Sequence, residues 1–138
     1  MDSIQLKLCD IQGRLFERSA AFASENFIRC FMNSEVAAHL DSPYCKYQWM
    51  GEEYLLDELK DEQKLSSDGE KYSTEVLYWT GYLYRYWACS RNEKSRNIYR
   101  QAPAKTMKRN YPAFHTFDPE IAIDDLIEIC RQRQSQSK

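Results

Sequence analysis

Two residues with catalytic chemistry lie close together in the last third of this 138-residue chain. They are Arg109 and His115, and His115 is one of only two histidines in the sequence. A histidine can act as a general acid or base, while an arginine can stabilise the negative charge of a phosphorane-like transition state. The pair could therefore take part in the cleavage of a phosphodiester bond.

The segment from Arg109 to His115 resembles the arginine–histidine motif of the HEPN-type ribonucleases, including the polar residue that follows the arginine. Membership of that class would imply a small all-α enzyme. However, arginine is frequent in the chain, so such a spacing arises readily by chance. In addition, Pro112 would interrupt the helix on which the motif has to lie. We therefore predict no catalytic site and keep the ribonuclease as an alternative hypothesis.

The sequence shows no pattern for a metal or a cofactor. It contains neither C-x-x-C nor H-x-x-x-H, which are typical spacings of zinc sites, and it has no glycine-rich phosphate loop. Its five cysteines are odd in number and widely spaced, which favours reduced thiols over a disulfide framework. No apolar stretch approaches the roughly 20 residues that span a bilayer. We therefore expect a cytoplasmic protein that binds no cofactor, no metal and no membrane.

Side chains suited to recognition are densest in residues 77–87, of which more than half are aromatic. As a helix, this segment would be apolar nearly all round and therefore central in the fold. A hairpin is the alternative, but its Thr-Gly turn would be a poor one and a lone hairpin needs further strands. The helix is favoured. Because tyrosine and arginine are enriched at binding hot spots, we predict that Tyr82, Arg85 and Tyr86 contact a partner.

Charge is segregated along the chain. Residues 51–75 carry nine acidic and three basic side chains, whereas residues 81–110 carry eight basic side chains and one acidic one. The two segments could attract each other within the fold, or they could form patches of opposite sign that steer a partner protein. A basic and aromatic segment could also follow a nucleic-acid backbone, but the acidic neighbour would repel it. We favour a protein partner and predict that it contacts four basic residues: Arg96, Arg100, Lys105 and Lys108.

Apolar residues recur at helical spacing along most of the sequence, beginning with residues 3–18. Residues that commonly cap helices predict four helix starts, at Ser3, Ser34, Ser73 or Thr74, and Asp118. One helix is predicted to end at Tyr111, because the next residue is a proline. Together these signals predict a single all-α domain over residues 1–133, with six or seven short helices around the central aromatic-rich helix. Residues 134–138 are predicted to form a disordered tail, and the formation of a homo-oligomer stays open.

The aromatic segment also carries a resemblance to a known family. The pattern Tyr-Trp-x-Gly-Tyr-x-Tyr-Arg-Tyr-Trp begins at Tyr78, and Phe114-His115-Thr116 and Asp118-Pro119 follow it. This combination resembles a family of small bacterial proteins from toxin–antitoxin neighbourhoods, and the resemblance implies an antitoxin-like role. No catalytic residues transfer from that family.

The leading hypothesis is therefore a non-enzymatic module that binds a partner protein, as an antitoxin or another inhibitor does. Two alternatives remain beside it. One is the metal-independent ribonuclease built on Arg109 and His115, and the other is a phage-type inhibitor of host defence.

Overall fold

The structure is a computed structural model that describes residues 1–42 and 46–136, and within these residues it consists of helices and their connections. The all-α prediction is therefore confirmed. The described residues form eight α-helices, close to the six or seven predicted, and one short 3₁₀ turn at Lys46–Trp49. The helices are α1 (Ser3–Arg18), α2 (Ser24–Met32), α3 (Glu35–Leu40), α4 (Glu52–Glu62), α5 (Thr74–Arg91), α6 (Ser95–Gln101), α7 (Ala104–Phe114) and α8 (Pro119–Gln136).

Helix α5 is the central element of the fold. The aromatic segment is helical throughout, so the helix interpretation is correct and the hairpin is excluded. Helix α1 is the main packing partner of α5, which also contacts α6, α7 and α8. The side chains of Leu77, Leu83, Tyr84 and Trp87 are buried in the core. The apolarity of this helix on nearly all sides thus reflects its contacts with helices on several sides.

Helices α1 and α5 approach each other closely because each contributes a glycine. A Cβ atom added at Gly81 would lie 2.6 Å from the carbonyl oxygen of Gln12 and 2.7 Å from Cγ of Phe16. A Cβ atom added at Gly13 would lie 2.6 Å from the ring of Tyr78. In addition, Gln12 Nε2 donates a hydrogen bond of 2.9 Å to the carbonyl oxygen of Gly81. The two backbones are therefore packed at a distance that only glycine permits.

Most predicted helix starts agree with the structure. The side chains of Ser34, Ser73 and Asp118 each accept a hydrogen bond from a backbone N–H in the first turn that follows. The predicted cap at Ser3 is wrong, because α1 is capped by Asp2. The Asp2 carboxylate accepts a hydrogen bond from the Gln5 backbone N–H, and the Gln5 side chain accepts one from the Asp2 backbone N–H. This reciprocal arrangement satisfies two backbone donors, which a cap at Ser3 would not achieve.

Two helix ends extend beyond the predicted positions. Helix α7 continues through Pro112 to Phe114, and after the proline the His115 backbone N–H still donates a helical hydrogen bond of 3.0 Å to the Tyr111 carbonyl oxygen. Helix α8 continues to Gln136, and Arg133 near its end donates a hydrogen bond of 2.8 Å to Thr106 Oγ1 on α7. Of the predicted free cysteines, Cys45 lies outside the described residues, and the other four are free thiols.

Candidate functional site

Three tyrosines form a continuous row along one face of α5. Tyr78, Tyr82 and Tyr86 follow each other at four-residue spacing and are each partly exposed. The ring centroids are 5.9 Å apart for the first pair and 6.4 Å apart for the second, and the rings are inclined by 31° and 26°. We call these residues the tyrosine row. Unlike Tyr84, which is buried in the core, the row keeps part of its aromatic surface in contact with solvent.

The first two tyrosines of the row line a cleft between α1, α5 and α7. Its volume is about 490 Å³. Aromatic surface dominates the cleft, which we call the aromatic cleft. It is lined by Glu17, Thr74, Glu75, Tyr78, Trp79, Tyr82, Tyr111 and His115.

Side chains from α5 and the end of α7 form one wall of the aromatic cleft, which we call the far wall because it lies on the α7 side. The rings of Trp79 and Tyr111 meet edge to face, with centroids 5.6 Å apart. The rings of Tyr111 and His115 are stacked, with centroids 4.4 Å apart. Continuation of α7 beyond Pro112 is what places His115 directly over Tyr111. The wall is therefore a connected set of rings rather than a group of isolated side chains.

The two carboxylates of the cleft belong to exposed side chains, Glu17 on α1 and Glu75 on α5. Among the described residues, neither Glu17 nor Glu75 has an ion pair or a side-chain hydrogen bond. The neighbouring arginines of α1 are already engaged: Arg14 pairs with Asp10 at 3.0 Å, and Arg18 pairs with the acidic start of α4. The cleft therefore combines aromatic surface with negative charge that the fold does not neutralise.

The tyrosine hydroxyls of the row are neutral at physiological pH. Burial raises the pKa of Tyr78, and its hydrogen bond of 2.5 Å to Asp10 Oδ1 raises it further. Burial is also the main cause that raises the pKa of Tyr82 and of Tyr86. Each ring is thus uncharged. The Tyr78 hydroxyl already donates its hydrogen bond to Asp10, and the hydroxyls of Tyr82 and Tyr86 can each donate one.

Arg85, which was predicted to contact a partner, is a buried structural residue with only 1% of its surface exposed. Its guanidinium donates hydrogen bonds to Gln12 Oε1 at 2.8 Å, to Asp41 Oδ1 at 2.7 Å and to Ser95 Oγ at 3.2 Å. Asp41 also accepts a hydrogen bond of 2.9 Å from the Ser95 backbone N–H. A buried charge is tolerated only when it is paired and hydrogen-bonded. The assignment of Arg85 to the partner surface is therefore corrected.

The four predicted basic contacts divide into two groups. Arg96 and Arg100 are exposed on α6 and have no acidic partner among the described residues. By contrast, Lys105 lies 3.7 Å from a carboxylate oxygen of Glu25, and Lys108 forms an ion pair with Glu70. Part of the basic segment therefore faces acidic groups of the same chain. None of the four lines the aromatic cleft.

Arg109 and His115 are not brought together. They are six residues apart on and just after α7, which places them on different sides of the helix axis. Arg109 lines a separate cavity together with Arg133, whereas His115 lines the aromatic cleft. In this structure the two side chains therefore do not share a site at which both could touch one substrate.

Sequence reasoning identified only part of the aromatic cleft. Of the cleft residues it selected Tyr82 as a partner contact, whereas Tyr86, which it also selected, belongs to the tyrosine row but does not line the cleft. The four-residue spacing from Tyr78 could have revealed the whole row. It missed Trp79 and Tyr111, which no local pattern connects, because their contact arises only when α7 packs on α5.

No three metal-ligating side chains of the described residues come together in an arrangement that could hold an ion. In the same part of the chain, no helix has the length and apolarity needed to cross a membrane. Comparisons with protein-family models, with curated proteins and with solved structures find no match to this chain.

Proposed function

We propose that this protein is a non-enzymatic binding module that neutralises a partner protein, as an antitoxin or another inhibitor does, and that it binds the partner through the aromatic cleft. One observation carries the proposal. The central helix leaves a row of three tyrosines partly exposed, two of which line an open cleft, although the same helix buries Leu77, Leu83, Tyr84 and Trp87 in the core. Tyrosine and tryptophan supply large contact areas at low conformational cost, and they are enriched at binding hot spots.

The inhibitory role rests on the resemblance of the α5 signature to antitoxin-like proteins. Residues of that signature form both the tyrosine row and the side of α5 that packs on α1. A phage-type inhibitor of host defence would use the same surface in the same way.

A protein partner is favoured over a nucleic acid at this surface. Glu17 and Glu75 lie in the cleft without a compensating cation, and they would repel a phosphate backbone. The exposed arginines of α6 could attract phosphate groups, but they do not line the cleft. Nucleic-acid binding is therefore an outcome for the experiment to detect.

The test combines capture with reconstitution. Proteins retained by the wild-type chain from a lysate of its own host cell are identified, produced separately and mixed with the purified chain. The proposal expects at least one of them to form a defined complex that Tyr82→Ser weakens, and to lose its activity or toxicity in that complex. A complex that forms normally with Tyr82→Ser contradicts the cleft as the binding surface.

The ribonuclease alternative has its own control in the same preparation. Incubation of the purified chain with RNA in the presence of a chelator should leave the RNA intact. Cleavage that disappears with His115→Ala and with Arg109→Ala would overturn the proposal and establish the enzyme instead.

A further inference from the structure

We propose that the aromatic cleft receives an arginine side chain of the partner protein, an inference that rests on the proposed function and specifies its ligand chemistry. The guanidinium would lie against the aromatic rings of the cleft, and the carboxylates of Glu17 and Glu75 would pair with it.

The aromatic walls suit a flat cation. Tyr78, Trp79 and Tyr82 line the cleft from α5, and Tyr111 lines it from α7. The ring faces of tryptophan and tyrosine carry partial negative charge, which attracts a cation placed over them. The pKa of Tyr78 and that of Tyr82 are raised by burial, so both rings stay neutral and keep this property at physiological pH.

The carboxylates supply the charge complementarity. Glu17 reaches the cleft from α1 and Glu75 from the first turn of α5. Neither has a partner among the described residues, and the arginines nearest to Glu17 in sequence are paired with Asp10 and with the start of α4. Both side chains are exposed, so an apolar segment that covered the cleft would displace part of their water without replacing its hydrogen bonds, which is unfavourable. A cation replaces the lost water.

Arginine fits these walls better than lysine does. The guanidinium is planar, so it stacks on aromatic faces, and its fork of N–H donors can bond a carboxylate through two parallel hydrogen bonds. It is also more weakly hydrated than an ammonium group, so its transfer into a mainly aromatic cleft is less costly. The three aliphatic carbons of its side chain add apolar contact with the ring edges.

The first experiment uses a blocked amino acid as the probe. Nα-acetyl-arginine amide is titrated into the ¹⁵N-labelled chain, and the indole N–H signals of the three tryptophans are followed by NMR. Trp79 should shift and saturate, because it lines the cleft. Trp87, which is 1% exposed in the core, and Trp49, which lines a different cavity, should stay in place and serve as internal controls.

Matched ligands and variants measure how much the charges of the ligand and of the cleft contribute to the affinity. Blocked citrulline has nearly the shape of arginine without its charge and should bind about tenfold more weakly, and blocked lysine should bind several-fold more weakly. Glu17→Gln with Glu75→Gln should weaken the binding of blocked arginine by about tenfold. Asp57→Asn with Asp61→Asn removes the same charge from the exposed face of α4 and should change the affinity by less than twofold.

Failure of this inference differs from failure of the proposed function. If Trp79 does not shift at the solubility limit of blocked arginine, or if citrulline or lysine binds equally well, the arginine assignment is wrong. If the reconstituted partner tolerates the Glu17→Gln and Glu75→Gln pair but not Tyr82→Ser, the cleft binds the partner through other chemistry. If the partner tolerates all of these changes, the proposed binding surface itself is wrong.

Discussion

At the scale of single residues, Arg85 shows that residue type alone can suggest the wrong role, because its burial makes it a structural residue rather than a binding contact. It lies in a tyrosine-rich and tryptophan-rich segment, where an arginine commonly marks a binding hot spot. Its side chain instead joins three other elements of the fold, through Gln12, Asp41 and Ser95. No local pattern predicts that convergence, because the partners come from α1, from the end of α3 and from the start of α6.

We expect Arg85→Met to destabilise the fold strongly. The substitution removes the cation but leaves Asp41, whose side chain is only 14% exposed, without its partner. Breaking a buried pair from one side typically costs about 3–5 kcal/mol. Chemical denaturation measures the loss of unfolding free energy. The matched control is Arg14→Met, which breaks the exposed pair with Asp10 and should cost less than about 1 kcal/mol. Similar small losses for both variants would contradict the structural role of Arg85.

At the scale of elements, the contact between α1 and α5 depends on the absence of a side chain at Gly81. Alanine would favour the helix by about 1 kcal/mol through its intrinsic propensity. Its Cβ, however, would meet the backbone oxygen of Gln12 at 2.6 Å, which cannot move without separating the two helices. Overpacking of this kind costs about 1–3 kcal/mol, so the steric clash outweighs the gain in helix propensity.

Gly81→Ala is therefore expected to lower the unfolding free energy by about 1–2 kcal/mol net, the overpacking cost less the propensity gain, as measured by denaturant titration. Gly51→Ala is the control, because no atom lies within 4 Å of a Cβ at that position. It should change stability by less than about 1 kcal/mol, since it only replaces a glycine N-cap. A stabilising effect of Gly81→Ala would show that the helices are not in close contact there.

Substitution of the exposed arginines of α6 should affect recognition of the partner with little effect on the stability of the fold. Arg96→Glu with Arg100→Glu should change the unfolding free energy by no more than about 1 kcal/mol in total, because neither residue has an acidic partner among the described residues. The double reversal should nevertheless slow association with the reconstituted partner at low salt, and the difference should fade as the screening length falls below about 10 Å. Stopped-flow association rates over a salt series measure this effect. Equal rates at low salt would restrict recognition to the aromatic cleft.

Most of the helices could be predicted from the sequence, because the residues that start, end and orient a helix act locally. The caps at Ser34, Ser73 and Asp118 and the central position of α5 follow from residue type and spacing alone. The extension of α7 through Pro112 could not be predicted, since a proline after the first turn usually ends or kinks a helix. That last turn places His115 over Tyr111 in the wall of the cleft, so this part of the wall could not be predicted either.

At the scale of the whole molecule, the segregation of charge has two different consequences. The ion pair of Lys108 with Glu70 shows that the basic and acidic segments contact each other on the surface. Exposed pairs of this kind contribute little to stability. The aromatic cleft, by contrast, collects negative charge from α1 and α5 that the basic segment does not reach. The chain therefore presents an acidic aromatic cleft in one place and exposed arginines in another.

The most direct test of the account is to measure the dissociation constants with which the wild type and three single variants of this chain bind the reconstituted partner. Two of the variants change a tyrosine, and the third changes a carboxylate. Tyr82→Ser should weaken binding by about 30-fold, which corresponds to the loss of a hot spot of about 2 kcal/mol. Tyr54→Ser, which alters a tyrosine 40% exposed on α4, should stay within about twofold of the wild type. Glu75→Lys alters an exposed side chain without intramolecular pairs among the described residues, so it should leave the fold intact and still weaken binding through repulsion. Binding that is insensitive to both cleft variants would contradict the account.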